Sequence, residues 1–306
     1  MNTFLRAGTL LAPRTVSFPS GNGSVVGHLY LPPTYDPATR YPAVVVGGSL
    51  SSVKEMMGGN YAEALAGHGI LGLAIDYRNY GESSGHLRQY EDPASKSVDL
   101  SSALKFLSSR SDVSGVGLVG VCTSGGNILY TAASDSHVGA IATVAGFFSD
   151  PAVAPTLFGG EEEVERRKTK GREAEEVYQR SGELKLVPTY SSTDKEAASI
   201  SSAPYYMDEN RGGGVRAWRN TFAVMSWEKW LGFDPVSKAP SVTAPALIIH
   251  SEKAAFPDQA RKIGELLKGP KEIVWESGMH FDFYDDPETV RKTAGLLANH
   301  FHKSLG

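Results

Sequence analysis

A chain of 306 residues can bury a large core, and it fits one α/β domain with an insertion better than two equal domains. A formal net charge of −4 leaves no basic footprint and argues against nucleic acid or anionic membrane as partners. A lone cysteine excludes any disulfide within the chain and fits a reducing compartment.

Met1 to Pro13 has one Arg and a brief apolar stretch broken by Gly8. That is too little for a signal-peptide core, and no run reaches spanning length, so a soluble cytosolic protein is expected. Thr15–Phe18, then Gly21-Asn22-Gly23, then Val25–Leu31 predict a β-hairpin, with Pro32-Pro33 leading into a loop. Ala43–Val46 predicts a buried strand ending in Gly47-Gly48-Ser49-Leu50. Asn60–Gly69 has apolar residues at helical spacing and stops at Gly. Ile70–Tyr77 is a second buried strand, and Ala94–Ser109 an amphipathic helix on Val98, Leu100, Ala103, Leu104 and Leu107. Val116–Val119 and Gly139–Phe148 are further strands. This alternation implies a mostly parallel sheet with helices on both faces.

The rhythm breaks at Asp150. From Pro151 to Gly232 the chain is polar and irregular, with a charged helical segment (Glu161–Arg180), the run Gly212-Gly213-Gly214, and Trp218, Trp227 and Trp230. Exposed Trp needs a cover. The segment therefore reads as a cap whose aromatics line or close a pocket, or as a satellite core of its own. Alternation resumes with the strand Ala246–Ile249, a helix over Gln259–Lys268, the strand Glu272–Trp275 and a last helix over Pro287–Lys303.

Between strand Val116–Val119 and the helix that begins near Asn127 lies Gly120-Val121-Cys122-Thr123-Ser124-Gly125-Gly126. One tight turn from strand to helix forces its apex residue to positive φ and needs small residues two positions to either side. Gly120 and Ser124 hold those places, so the turn presents Cys122. A lone cysteine is more often a small buried hydrophobe. A phosphate loop would want Lys after its last Gly, and a dinucleotide fingerprint belongs at the first βα unit; neither pattern is present.

A nucleophilic thiol needs a base, and the base a group to orient it. In this fold the order along the chain is nucleophile, acid, His, each at the carboxyl end of a strand. His280 follows the last strand through Ser277-Gly278-Met279 and precedes the last helix. After the penultimate strand comes His250-Ser251-Glu252-Lys253-Ala254-Ala255-Phe256-Pro257-Asp258, where Ala254 holds the place at which Asp is common. Glu252 is the carboxylate nearest the strand end and is the expected acid. Asp258 (which suits a helix N-terminus) and Asp150 are the alternatives. An oxyanion hole needs two preorganised N–H groups, expected from Thr123 and Leu50.

The elbow, Val53-Lys54-Glu55, Asp76-Tyr77-Arg78 with Gly81-Glu82-Ser83, Tyr90-Glu91-Asp92-Pro93, His250-Ser251-Glu252 and His280-Phe281-Asp282-Phe283-Tyr284-Asp285 together resemble the dienelactone-hydrolase-like α/β-hydrolases. The likeness is greatest to the branch related to fungal polyketide transferases and bacterial uncharacterised hydrolases, and it covers nearly the whole chain. It implies an α/β-hydrolase core over 1–150 and 233–306 with a cap over 151–232. It further implies a Cys or Ser nucleophile, a His base and an acid, without metal or organic cofactor. Transferred to this chain, these are Cys122, His280 and Glu252. The implied activity is acyl hydrolysis of an ester, lactone or thioester through a covalent acyl-enzyme. Acyl transfer or cyclisation in secondary, polyketide-type metabolism is the rival, and non-catalytic or non-covalent reuse of the scaffold a third reading. The expected partner is a small acyl substrate, free or carrier-bound; a homodimer is left open.

Overall fold

A computed structural model describes residues 12–306, so most of Met1–Pro13, where no signal peptide is expected, lies outside the described residues. Strands β1 (Arg14–Ser20) and β2 (Gly23–Tyr30) pair antiparallel across a turn in which Gly21 takes φ +53°. Next come β3 (Tyr41–Gly47), α1 (Met57–Gly67), β4 (Leu71–Asp76), α2 (Pro93–Ser108), β5 (Val113–Val121), α3 (Ser124–Ala132) and β6 (Ala140–Val144). All six residues of β4 and all five of β6 are buried, as strands covered on both faces must be. Gly72 is needed where α1 crosses β4: a Cβ there would lie 2.2 Å from the Ala62 carbonyl oxygen. Asp92 caps α2, accepting from the N–H groups of Ala94 and Ser95 ahead of Pro93 in the first turn.

The segment that follows β6 is built from helices and short ribbons: α4 (Ala154–Phe158), α5 (Glu161–Ser181), β7 (Leu186–Val187), β8 (Tyr190–Ser191), β9 (Ser199–Ile200), α6 (Pro204–Met207), β10 (Phe222–Ala223) and α7 (Trp227–Leu231). Helix α5 starts with Glu161, Glu162 and Glu163 and has Arg180 in its last turn, as the helix dipole favours. It buries one stripe, Val164, Arg167, Gly171 and Ala174, at helical spacing. The Arg167 guanidinium lies 4.5 Å from the centre of the Trp227 ring and 5.0 Å from that of Phe158, while bonding the Lys195 and Ala197 carbonyls. Phe158 meets Trp227 and Trp230 edge-on, and Phe222, Trp227 and Trp230 pack tilted against one another, in a satellite core.

Strand β11 (Ala246–His250), α8 (Pro257–Leu266), β12 (Lys271–Trp275), α9 (Asp282–Asp285) and α10 (Pro287–Leu305) complete the chain. The main sheet has eight strands in the order β1-β2-β4-β3-β5-β6-β11-β12. Six of them, from β4 to β12, run parallel, and the hairpin β1-β2 joins antiparallel at one edge. The ends of β3, β5 and β11 therefore open on one edge, where ligand sites of open α/β sheets form.

Candidate active site

At the end of β5, Cys122 takes φ +53°. Three backbone bonds hold this strained apex: its N–H donates to Val144 (3.1 Å), and its carbonyl accepts from Gly125 (2.8 Å) and Phe147 (2.9 Å). The turn is so tight that a Cβ on Gly120 would sit 2.4 Å from the Ser124 carbonyl oxygen. Ser124 also ties the elbow to the loop after β3. Its hydroxyl donates to the Gly48 carbonyl (2.5 Å) and accepts from Tyr77 (2.7 Å). That loop is pinned further on by Asp76, which accepts the Lys54 N–H at 2.7 Å. Thr123 and Leu50 both face the cavity beside Cys122, and among the described residues neither N–H is spent on a backbone carbonyl.

The cavity in front of the thiol has a volume of about 410 Å³. Cys122 and His280 share its wall with Phe147, Leu157, Ile200, Trp230 and Phe256, and no charged side chain lines it. The inserted segment supplies part of this wall as well as a satellite core of its own, and Trp230 and Phe158 belong to each. The segment is docked on the sheet by the Ser226 hydroxyl accepting the Glu91 N–H (2.8 Å) and by Tyr190 donating to the Leu50 carbonyl (3.2 Å).

His280 lies across the cavity from the elbow, with no direct hydrogen bond to the thiol. Its Nε2 is 3.0 Å from the Tyr284 hydroxyl, and its Nδ1 faces the Ala255 N–H at 3.4 Å. The orienting carboxylate expected from the sequence is not there. Glu252 has a side chain 62% exposed and pairs with Arg261. Asp258 pairs with the same arginine, and Asp150 with Lys262. The reason is local. After β11 the Ser251 hydroxyl turns inward to the Gly278 carbonyl (2.6 Å) and accepts the Lys253 N–H, which swings Glu252 outward and buries Ala254 instead. The imidazole thus meets backbone where an acid was expected. His250 is buried between the Ser251 and Gly146 carbonyls and serves the framework.

Burial pushes the Cys122 thiol up to about 11, against the Tyr284 hydroxyl, the Thr123 N–H and the Lys96 ammonium, which favour the thiolate. Burial lowers His280 to about 4, helped by the charge of His250. At neutral pH the pair therefore rests as thiol and neutral imidazole. Three tyrosines missed in the sequence converge here. Tyr284 lines the cavity with the thiol and shares a hydrogen bond with His280, and the Tyr206 hydroxyl shares one with the Ser49 hydroxyl. The rings of Tyr190 and Tyr206 stack with centroids 4.0 Å apart. For Tyr284 a signal existed, since it follows His280 by one helical turn; Tyr190 and Tyr206 carry none, because they come from the irregular insertion.

Among the described residues, His28, Glu55 and Glu82 bring ligand-type atoms within 4.8 Å of one another. The buried Lys54 ammonium already neutralises that group, at 2.7 Å from Glu55, 2.5 Å from Glu82 and 3.0 Å from Asp76. None of these residues lines the Cys122 cavity.

Residues 43–293 match the model of the alpha/beta hydrolase family. The chain belongs to that family. A relative, Uncharacterized protein PA2218 of Pseudomonas aeruginosa, is 29% identical over 315 residues, covering 94% of this chain and 80% of its own. Its crystal structure superposes with a TM-score of 0.81 at 24% identity, over 97% of this chain and 96% of the other. DcsB, solved in complex with its substrate analogue, superposes with a TM-score of 0.82 at 19% identity, over 96% and 99%. Thiohydrolase aneE of Aspergillus aculeatus is 38% identical over 105 residues, 34% of this hydrolase-family chain and 33% of its own length. Among the described residues no helix is long and apolar enough to cross a membrane.

Proposed function

We propose that the protein is a cysteine-dependent acyl hydrolase acting on an ester, lactone or thioester with an uncharged, largely apolar acyl group. One observation carries this reading: Cys122 stands at positive φ beside the Thr123 and Leu50 N–H groups, which bond no backbone carbonyl among the described residues, and it shares an apolar cavity with His280. In this account Sγ attacks the acyl carbonyl, and the Thr123 and Leu50 N–H groups hold the oxygen as it gains charge. His280 takes the thiol proton and returns it to the leaving group, and water then releases the acyl chain. Glu252 has no part in this scheme. Residues 151–232 act as the cap that closes the site from bulk water.

Acyl transfer is the second reading. It is favoured by the apolar lining, which would let an alcohol or amine acceptor compete with water. A panel of p-nitrophenyl esters and acyl thioesters, run with wild type and Cys122→Ala, tests both. Free acid from wild type and none from the variant supports hydrolysis; a conjugate or ring formed with an added acceptor supports transfer. Undiminished turnover by Cys122→Ala would overturn the covalent scheme.

A further inference from the structure

We propose that Arg211, from the inserted segment, is a positioning residue for His280: its guanidinium holds the short turn that carries the imidazole, a task that an orienting carboxylate would otherwise perform. The inference rests on the hydrolase reading above and adds what fixes the base. Among the described residues no carboxylate bonds the His280 ring. Its Nε2 lies 3.0 Å from the Tyr284 hydroxyl, and the ring packs edge-on against Phe281 and Tyr284, with centroids 5.4 and 5.3 Å apart. Tyr284 belongs to α9 and Phe281 directly precedes it, so the direction of the imidazole depends on where that helix sits.

A helix of four residues cannot hold its own place, because one turn closes too few hydrogen bonds to offset the order it imposes. Helix α9 is tied from outside. Asn60 and Tyr61 of α1 donate to the Tyr284 and Phe283 carbonyls, each at 2.8 Å. From the insertion, Arg211 Nε donates to one Asp285 oxygen at 2.8 Å and Nη2 to the other at 2.5 Å. The same Nη2 reaches the carbonyl of Phe281, the residue next to His280, at 3.2 Å. A forked pair fixes orientation as well as distance.

Arg211 is itself held for this task. Its guanidinium lies 5.5 Å from the centre of the Tyr205 ring, its N–H donates to Asp208 (3.0 Å), and its carbonyl accepts from Gly214 (3.1 Å). That turn needs the run Gly212-Gly213-Gly214. A Cβ on these residues would overlap the Tyr205 ring, the Tyr206 carbonyl and the Glu209 carbonyl in turn. The three glycines thus fold the chain back on α6 and present Arg211 to Asp285. The paired side chains are 28% and 24% exposed, so the pair contributes little to global stability and its loss should be read in the site.

The test compares wild type with Arg211→Ala, Arg211→Lys, Asp285→Asn and the double variant Arg211→Ala/Asp285→Asn. It reads the His280 imidazole titration by NMR, assigned against His280→Ala, and kcat on p-nitrophenyl butyrate. In wild type, burial keeps the His280 midpoint near 4. Loss of the clamp loosens the turn and admits water, so Arg211→Ala should raise that midpoint by about one pH unit or more and lower kcat about tenfold. The melting temperature should change little. Arg211→Lys keeps the charge without the fork and should move both quantities the same way by less, which also serves if the alanine variant does not fold. The double variant should be no worse than Arg211→Ala, because the two side chains act as one unit. A midpoint still near 4, an unchanged kcat, or losses that multiply in the double variant would overturn the role. The titration needs no turnover: full activity in Cys122→Ala would remove the cysteine reading, and the midpoint would still decide for or against Arg211.

Discussion

Alkylation of Cys122 should reveal a thiol that ionises far above neutrality. The ordinary thiol value of 9.0 rises to about 11 here because the sulfur sits in an apolar wall, with hydrogen bonds that only partly offset its desolvation. Those values give a thiolate fraction at pH 7 of about 10⁻⁴, against about 10⁻² for the same thiol in water. The hundredfold deficit corresponds to about 2.7 kcal/mol. The sign follows from the site: burial penalises the anion, and the imidazole, lowered to about 4, carries no charge at pH 7 to restore it. With a single cysteine in the chain, iodoacetamide adducts counted by mass spectrometry report this one group, with Cys122→Ala as the blank. The rate should climb about tenfold per pH unit from 7 to 10 and level only near 11. A plateau at or below pH 8 would mean a preformed thiolate–imidazolium pair and would refute the reasoning.

Three further outcomes follow from the same geometry. Because the folded His280 titrates near 4 and not 6.5, it stays a neutral base in mild acid, so kcat/KM should hold down to about pH 5 and fall near 4; a midpoint at 6.5 would contradict the burial argument. Glu252→Gln should change kcat/KM by less than tenfold and cost no more than about 1 kcal/mol, since its carboxylate pairs with Arg261 in solvent; a loss of about 10²-fold, read by steady-state kinetics, would return it to the machinery. Gly120→Ala places a methyl 2.4–2.7 Å from backbone atoms of Ser124 and Gly125, so it should cost about 1–3 kcal/mol or more and abolish turnover by displacing the elbow; a wild-type melting curve with full activity would show the turn to be slack.

The sheet was largely legible in the chain. Runs such as Ala43–Val46 and Ala246–Ile249 are apolar throughout because parallel strands are covered on both faces, and the observed strands extend them by a few residues. The elbow was legible for a similar reason: one strand, one tight turn and one helix are contiguous, so Gly120, Cys122 and Ser124 announce a local geometry that the backbone then adopts at φ +53°. Helix ends at Asp92-Pro93 and Asp286-Pro287 are likewise local events. What surrounds the imidazole was not legible. Glu252 is nearest in sequence to the strand end, yet the Ser251–Gly278 bond turns it outward. Tyr190 and Tyr206 reach the thiol from far along an insertion that has no periodic pattern. Contacts inside one turn are dictated by the order of residues, whereas a side chain's neighbours across the cavity are dictated by which segments pack together, and only the folded chain decides that.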